Sequence, residues 1–233
     1  PQVMLLPLNE NEENEPGKKY QPRPAADPTH RTQQPLWSSM GLLAYYDYDR
    51  AAFIVDDIEE GEIVQFPSQT GIPGSWHPSG QYYVFPEIYS NEIADPELNA
   101  ELGAIPSSRL LQYSLDGSYL DLTGVDDVED ASPEFSPDGS NLAFGRKYLD
   151  ITRWTPGRQL WIMDTNNQEI REITNEPEEN HYDFVWSPDG SLLALARFNK
   201  SQLTSPPEVW LTNSDGSYMN KIMPGGYAPH WIP

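Results

Sequence analysis

Short apolar runs of five or six residues, each bounded by polar turn residues, recur along most of the chain. Ser191-Leu192-Leu193-Ala194-Leu195-Ala196 is one, followed after a polar loop by Glu208-Val209-Trp210-Leu211-Thr212. An Asn-Ser-Asp-Gly-Ser turn at 213–217 then leads into Tyr218–Met223. Runs of this length, rich in β-branched and aromatic residues and closed by Asp-Gly steps, predict strands and hairpins. The same order occurs upstream as Asn141–Gly145, Gln159–Asp164 and Glu169–Thr174. It occurs again as Gln81–Phe85, Arg109–Ser114 and Ser118–Thr123, and first as Leu42–Tyr46, Ala52–Asp56 and Glu62–Phe66. A further short strand precedes each set, as in Tyr182-Asp183-Phe184-Val185-Trp186, so each unit holds four strands.

A short phrase opens every unit. Phe135-Ser136-Pro137-Asp138-Gly139 returns as Trp186-Ser187-Pro188-Asp189-Gly190, more loosely as Trp76-His77-Pro78-Ser79-Gly80 and faintly as Trp37-Ser38-Ser39-Met40-Gly41. Trp231-Ile232-Pro233 begins another copy. The prolines Pro78, Pro137, Pro188 and Pro233 stand 59, 51 and 45 residues apart, and Ser39 precedes Pro78 by 39. Proline presets φ and glycine accepts the left-handed position, so the phrase reads as the turn between a unit's first two strands. Four strands per unit at about 40–50 residues is the spacing of β-propeller blades. The fold class expected is all-β: a propeller of four-stranded antiparallel blades, four of them full, with partial blades at both ends.

Ser-Pro-Asp-Gly followed by Leu-Ala, Leu-Trp-Ile-Met-Asp and Glu-Ile-Thr resembles the WD40-like (PD40) repeat of TolB-like propellers. Residues 135–174 and 186–223 carry the resemblance best, and it extends over roughly 36–233. It implies a ring of about six blades and a periplasmic, secreted or cell-surface location. The resemblance is specific for fold and less so for activity, because such propellers serve both as binding proteins and as parts of peptidases.

The division expected is a partial blade strand at 1–8, an acidic and proline-rich loop or linker at 9–35, and blades at 36–70, 71–124, 125–175 and 176–224. A long insertion occupies 86–108 of the second blade, and 225–233 is the first strand of a further blade. Within the insertion, Ile93–Leu102 reads as a helical turn or two. Part-blades at both ends suggest a portion of a longer polypeptide, with a composite blade built from the two ends as the other reading.

Charge narrows the partners. Fourteen basic residues face 36 acidic ones, a formal charge of −22. That opposes nucleic acid, which needs a basic face, and repels anionic surfaces. There is no cysteine and no apolar run of transmembrane length.

In a four-stranded blade, the second-to-third loops and the blade-to-blade connections emerge on one face. The longest loops, 86–108, 147–158 and 199–207, are of the first kind. The connections hold Asp126, Asp127, Glu129 and Asp130, then Glu176, Glu178 and Glu179. The elaborated face is therefore expected to be acidic, and elaborated loops over a rigid scaffold are where binding residues collect. Asp126, Asp127, Glu129 and Asp130 could offer oxygens to calcium, the one cofactor entertained, although no EF-hand loop is present and a solvated patch reads as well. Trp154 stands off the repeat phase beside Arg153; with Tyr148 and Tyr89 it is the candidate partner contact, or it pins its own loop. Glu134, Asp183 and His230 lie in or beside first strands, which line a propeller's channel. Anchor aromatics Trp76, Phe135, Trp186 and Trp231, and the pair Trp161 and Trp210, read as inter-blade packing.

No Gly-x-Ser-x-Gly elbow, His-Glu-x-x-His helix, Walker loop or dinucleotide fingerprint occurs. The leading expectation is a non-catalytic propeller binding a protein or peptide through its loop-rich face. The alternatives are the propeller of a larger prolyl-oligopeptidase-like hydrolase and a self-associating subunit of an extracellular assembly.

Overall fold

The computed structural model describes residues 1–5, 23–91, 105–124, 127–202 and 204–232. These residues are all-β, with no helix among them. They form two compact units, 1–71 and 72–233.

The first unit is a four-stranded antiparallel sheet of β3 (Thr32–Trp37), β4 (Leu43–Asp47), β5 (Ala52–Asp57) and β6 (Gly61–Pro67), paired in that order. Within the segment 1–8, Met4–Leu5 form the two-residue strand β1. It pairs with β2 (Arg23–Pro24), inside the segment read as linker. Val3, with Leu5, Ala25 and Ala26, packs on Leu43, Tyr45, Ala52 and Ile54 and covers one face of the sheet.

The second unit contains three more sets of four strands. The first is β7 (Ser75–Trp76), β8 (Tyr82–Asn91), β9 (Ile105–Ser114) and β10 (Tyr119–Asp121). The second is β11 (Val128–Phe135), β12 (Asn141–Tyr148), β13 (Gln159–Asp164) and β14 (Ile170–Glu172). The third is β15 (Glu179–Trp186), β16 (Leu192–Asn199), β17 (Glu208–Asn213) and β18 (Met219–Pro224). Neighbours within each set are antiparallel.

Two differences from the sequence reading stand out. The flanks of the expected insertion at 86–108 are not loop: the β8–β9 ladder continues to Asn91↔Ile105. The extended ribbon gains a neighbour there, since Glu129 of β11 pairs in parallel with Ser108 and the Ser108 hydroxyl donates to the Asp130 carbonyl at 2.8 Å. This link joins two four-stranded sets into one eight-stranded sheet. The helical turn expected at 93–102 lies outside the described residues. Residues 225–232, expected as a first strand, have no ladder partner among the described residues.

The opening phrase builds the same turn each time. Gly139 N donates to Ser136 O and Gly190 N to Ser187 O, both at 2.8 Å, with the glycines at φ +75° and +70°. The Ser187 hydroxyl donates to Asp189 at 2.6 Å and accepts from Leu192 N at 2.9 Å, and Ser136 does the same with Asp138 and Asn141. Bonds from the Ser187 hydroxyl and from Ser191 push the Asp189 carboxyl down to about 2.

Three residues before each anchor aromatic, the first strands carry a β-bulge. Gln34, Ser132 and Asp183 sit there at φ +59°, +54° and +52°, and Ala228 holds the same phase at +48°. The register shifts of β3, β11 and β15 fall at these residues. The matching position in the second set is Pro73, whose ring excludes positive φ; β7 is correspondingly cut to two residues.

In the second unit, two core clusters lie between sets. Val84 and Leu110 pack against Phe135, Leu142, Phe144 and Met163, while Ala143, Leu160 and Ile162 pack against Phe184, Trp186, Leu193 and Leu195. The anchors add directed bonds. Trp186 Nε1 donates to the carbonyl of Glu134, and Trp231 Nε1 to that of Val185, at 3.1 and 3.2 Å. In both cases the acceptor immediately precedes the previous anchor.

Candidate functional site

The loop between β12 and β13, residues 149–158, is the most elaborated described feature of the second unit. Asp150 folds its first half: Oδ1 accepts from the amides of Thr152 and Arg153 at 3.1 and 3.0 Å and from the Thr152 hydroxyl at 2.5 Å. Oδ2 accepts from Arg153 Nε at 2.7 Å. Gly157 closes the other half. Its N–H donates to Pro177 O, and a Cβ there would stand 2.0 Å from the Glu179 carbonyl. Only glycine lets the loop return so close to β15.

The result is a braced projection. Ile151 is 96% and Trp154 55% exposed at its tip. Lys147 Nζ lies 5.1 Å from the Trp154 ring centre, and the Arg153 guanidinium 3.9 Å from that of Tyr148. Tyr148 meets Trp161 edge-on at 6.1 Å, and Arg146 lies 5.5 Å from Trp161. Beneath them the buried Asp130 takes Arg146 in a two-pronged ion pair, both bonds 2.7 Å. Burial pushes the Asp130 carboxyl above its ordinary value, opposed by Arg146. A column of cations and rings thus runs from the tip to the sheet interior.

Trp154, Arg153 and Tyr148, named from sequence, therefore come together. Tyr89 does not join them. It lies on β8, separated from β12 by β9 and β11, under the Arg109 guanidinium at 4.3 Å, and Arg109 in turn bonds Asp121 at 3.0 Å. Ile151 and Lys147 went unnamed. Ile151 carried a signal, an apolar residue off the strand phase, whereas Lys147 ends an ordinary strand.

The connection acids are largely engaged inside the fold. Asp130 holds Arg146, and Glu129 pairs with Arg158. Glu176 pairs with Arg197, and Glu179 accepts from Asn199 at 2.9 Å. Asp127 is exposed, at φ +57°, and Asp126 lies outside the described residues. Among the described residues no group of three or more His, Cys, Asp or Glu side chains is placed to hold a metal.

The channel candidates occupy different surroundings. Glu134 is half-buried; desolvation pushes its carboxyl up to about 7, opposed by the Ser75 hydroxyl. Asp183 is the exposed bulge residue, and its Oδ2 accepts from Ala228 N at 3.2 Å. His230 is exposed. Glu134 and Asp183 stand one and three positions before their anchors, so the bulge directs them differently.

A second polar cluster repeats the Asp130–Arg146 position in the next set. His181 and Arg197 are register partners as Asp130 and Arg146 are. His181 offers no carboxylate, and Arg197 instead stacks on Trp210 at 3.6 Å and reaches Glu176. A cavity of about 310 Å³ opens beside it, lined by Glu179, Asn199, Glu208 and Lys221 among others.

No protein-family model matches the chain, and no curated protein does. Solved structures do. TolB from Acinetobacter baumannii is 19% identical with a TM-score of 0.56, over 88% of this chain and 46% of that one. Oligogalacturonate lyase from Vibrio parahaemolyticus is 17% identical at 0.59, over 87% and 56%. A prolyl endopeptidase is 13% identical at 0.61, over 90% and 32%. At these identities the likeness shows a TolB-like β-propeller fold. The chain spans about half the length of the first two proteins and about a third of the third.

Proposed function

We propose that the chain belongs to a non-catalytic, extracytoplasmic β-propeller, of about six blades, that binds a protein or peptide partner on the face bearing its second-to-third-strand loops. One observation carries this reading: the 149–158 loop holds a half-exposed tryptophan and an almost fully exposed isoleucine on a frame braced by Asp150 and Gly157. Large apolar side chains presented rigidly are what interfaces use as anchors, because little ordering entropy is lost on docking. The extracytoplasmic location rests on the resemblance of the repeat to that of TolB-like propellers, and TolB is among the proteins of similar fold.

The test places a photo-crosslinking residue at Thr155, in this loop, and another at Asn166, in the β13–β14 turn on the opposite face. A discrete adduct from Thr155 and none from Asn166 is the expected result in the native compartment. Adducts from Asn166 alone would reject the assignment of the face.

A further inference from the structure

Resting on that reading, we infer that the partner presents an acidic segment carrying an exposed apolar residue, and that it docks on Lys147, Ile151, Arg153 and Trp154. The evidence is a pair of exposed cations beside two exposed apolar side chains, on a loop whose neighbouring acids on β11 are Asp127 and Glu129. The whole chain carries −22, yet residues 147–158 hold three basic side chains and one acidic. Of the three, Arg158 is taken by Glu129. Arg153 meets Asp150 through Nε while its side chain remains 54% exposed. Lys147 has no carboxylate partner among the described residues and rests over the Trp154 ring. Two cations with capacity for a carboxylate therefore flank the two exposed apolar side chains.

Charge complementarity then selects the occupant. A basic partner would find better sites almost anywhere else on so acidic a chain, and would be repelled here. An acidic partner is repelled by much of so acidic a chain, and at this loop it meets Lys147 and Arg153 within a Debye length of about 8–10 Å. Repulsion from the acidic chain disfavours other placements, which adds specificity without added affinity. The apolar residue supplies the buried contact against Ile151 and Trp154. Its flanking carboxylates meet Lys147 and Arg153, whose stacking on Trp154 and Tyr148 fixes them beforehand.

A random peptide display library panned against the full chain, at about 50 mM and again at about 300 mM salt, tests this. Wild type is compared with W154A, with I151D, whose site is too exposed to affect folding, and with K147E/R153E. The expected result is enrichment of peptides with two or more Asp or Glu around an aromatic or aliphatic residue. Their affinity should fall about tenfold or more in each variant and weaken at the higher salt. Trp154-dependent enrichment of basic or uncharged peptides would overturn the acidic-partner inference and leave the binding face standing. Absence of any Trp154-dependent enrichment would overturn both. Trp154-dependent self-association in sedimentation equilibrium would assign the loop to a second copy and likewise overturn the inference.

Discussion

Glu134 shows how one side chain makes this fold sensitive to pH. Its carboxyl rises from an ordinary 4.5 to about 7 because burial disfavours the ionised form. A carboxyl raised in the folded state binds its proton more tightly there than in the unfolded chain. Its contribution therefore favours folding at low pH and is lost as pH rises from about 4.5 through about 7. Glu134→Gln should unfold at the same denaturant concentration as wild type near pH 4.5 and be more stable by about 2–3 kcal/mol at pH 8. Urea titrations at the two values check this; a variant less stable at pH 8 would contradict it. Asp130 is likewise raised by burial, but Arg146 opposes the shift through a two-pronged ion pair. Asp130→Ala leaves a buried guanidinium uncompensated and should cost about 3–5 kcal/mol, read from the urea midpoint at pH 7. The sequence showed Asp130 as one acid of four in an exposed connection. Nothing within that run revealed that it faces inward, because its partner is 16 residues away on the next strand.

At the scale of elements, the strands were largely legible. Gln159–Asp164 is the expected strand to the residue, and the turns at Gly139 and Gly190 have the expected positive φ. Period and turn chemistry are local properties, so they survive reading in one dimension. What failed to show was whatever depends on a neighbour. The ribbon continues to Asn91 where β11 lies alongside β9, and 225–232 lack a ladder despite a strand-like phrase. The bulge at the third residue before each anchor was equally hidden, because Gln, Ser, Asp and Ala share no property that announces left-handed backbone. Two substitutions test elements. Trp186→Ala removes both a core ring and the bond to Glu134 O, and should destabilise by about 3–5 kcal/mol in chemical denaturation. Gly157→Ala drives a Cβ onto the Glu179 carbonyl. Hydrogen exchange in 149–158 should quicken markedly, with a global loss of about 2 kcal/mol.

For the whole molecule, the blade-like repeat was the most readable property and the site the least. The off-phase Trp154 could be singled out from sequence because a repeat makes exceptions visible. Its basic setting could not, since composition averages a charge of −22 over the chain, while a partner meets one loop at a time. His181 stands at the place that Asp130 takes in the preceding set, and its register partner Arg197 turns to Trp210 and Glu176 and lines a cavity. Substitution at one phase of a repeat is thus how this scaffold varies its surface while keeping its frame.

The indole bonds also have a direction. Trp186 reaches back to Glu134 and Trp231 back to Val185, each to a segment made earlier. As the chain leaves the ribosome, at about 5–20 residues per second, each of these two indoles meets its acceptor already synthesised. Assembly of these units can therefore keep pace with translation from the amino-terminal side.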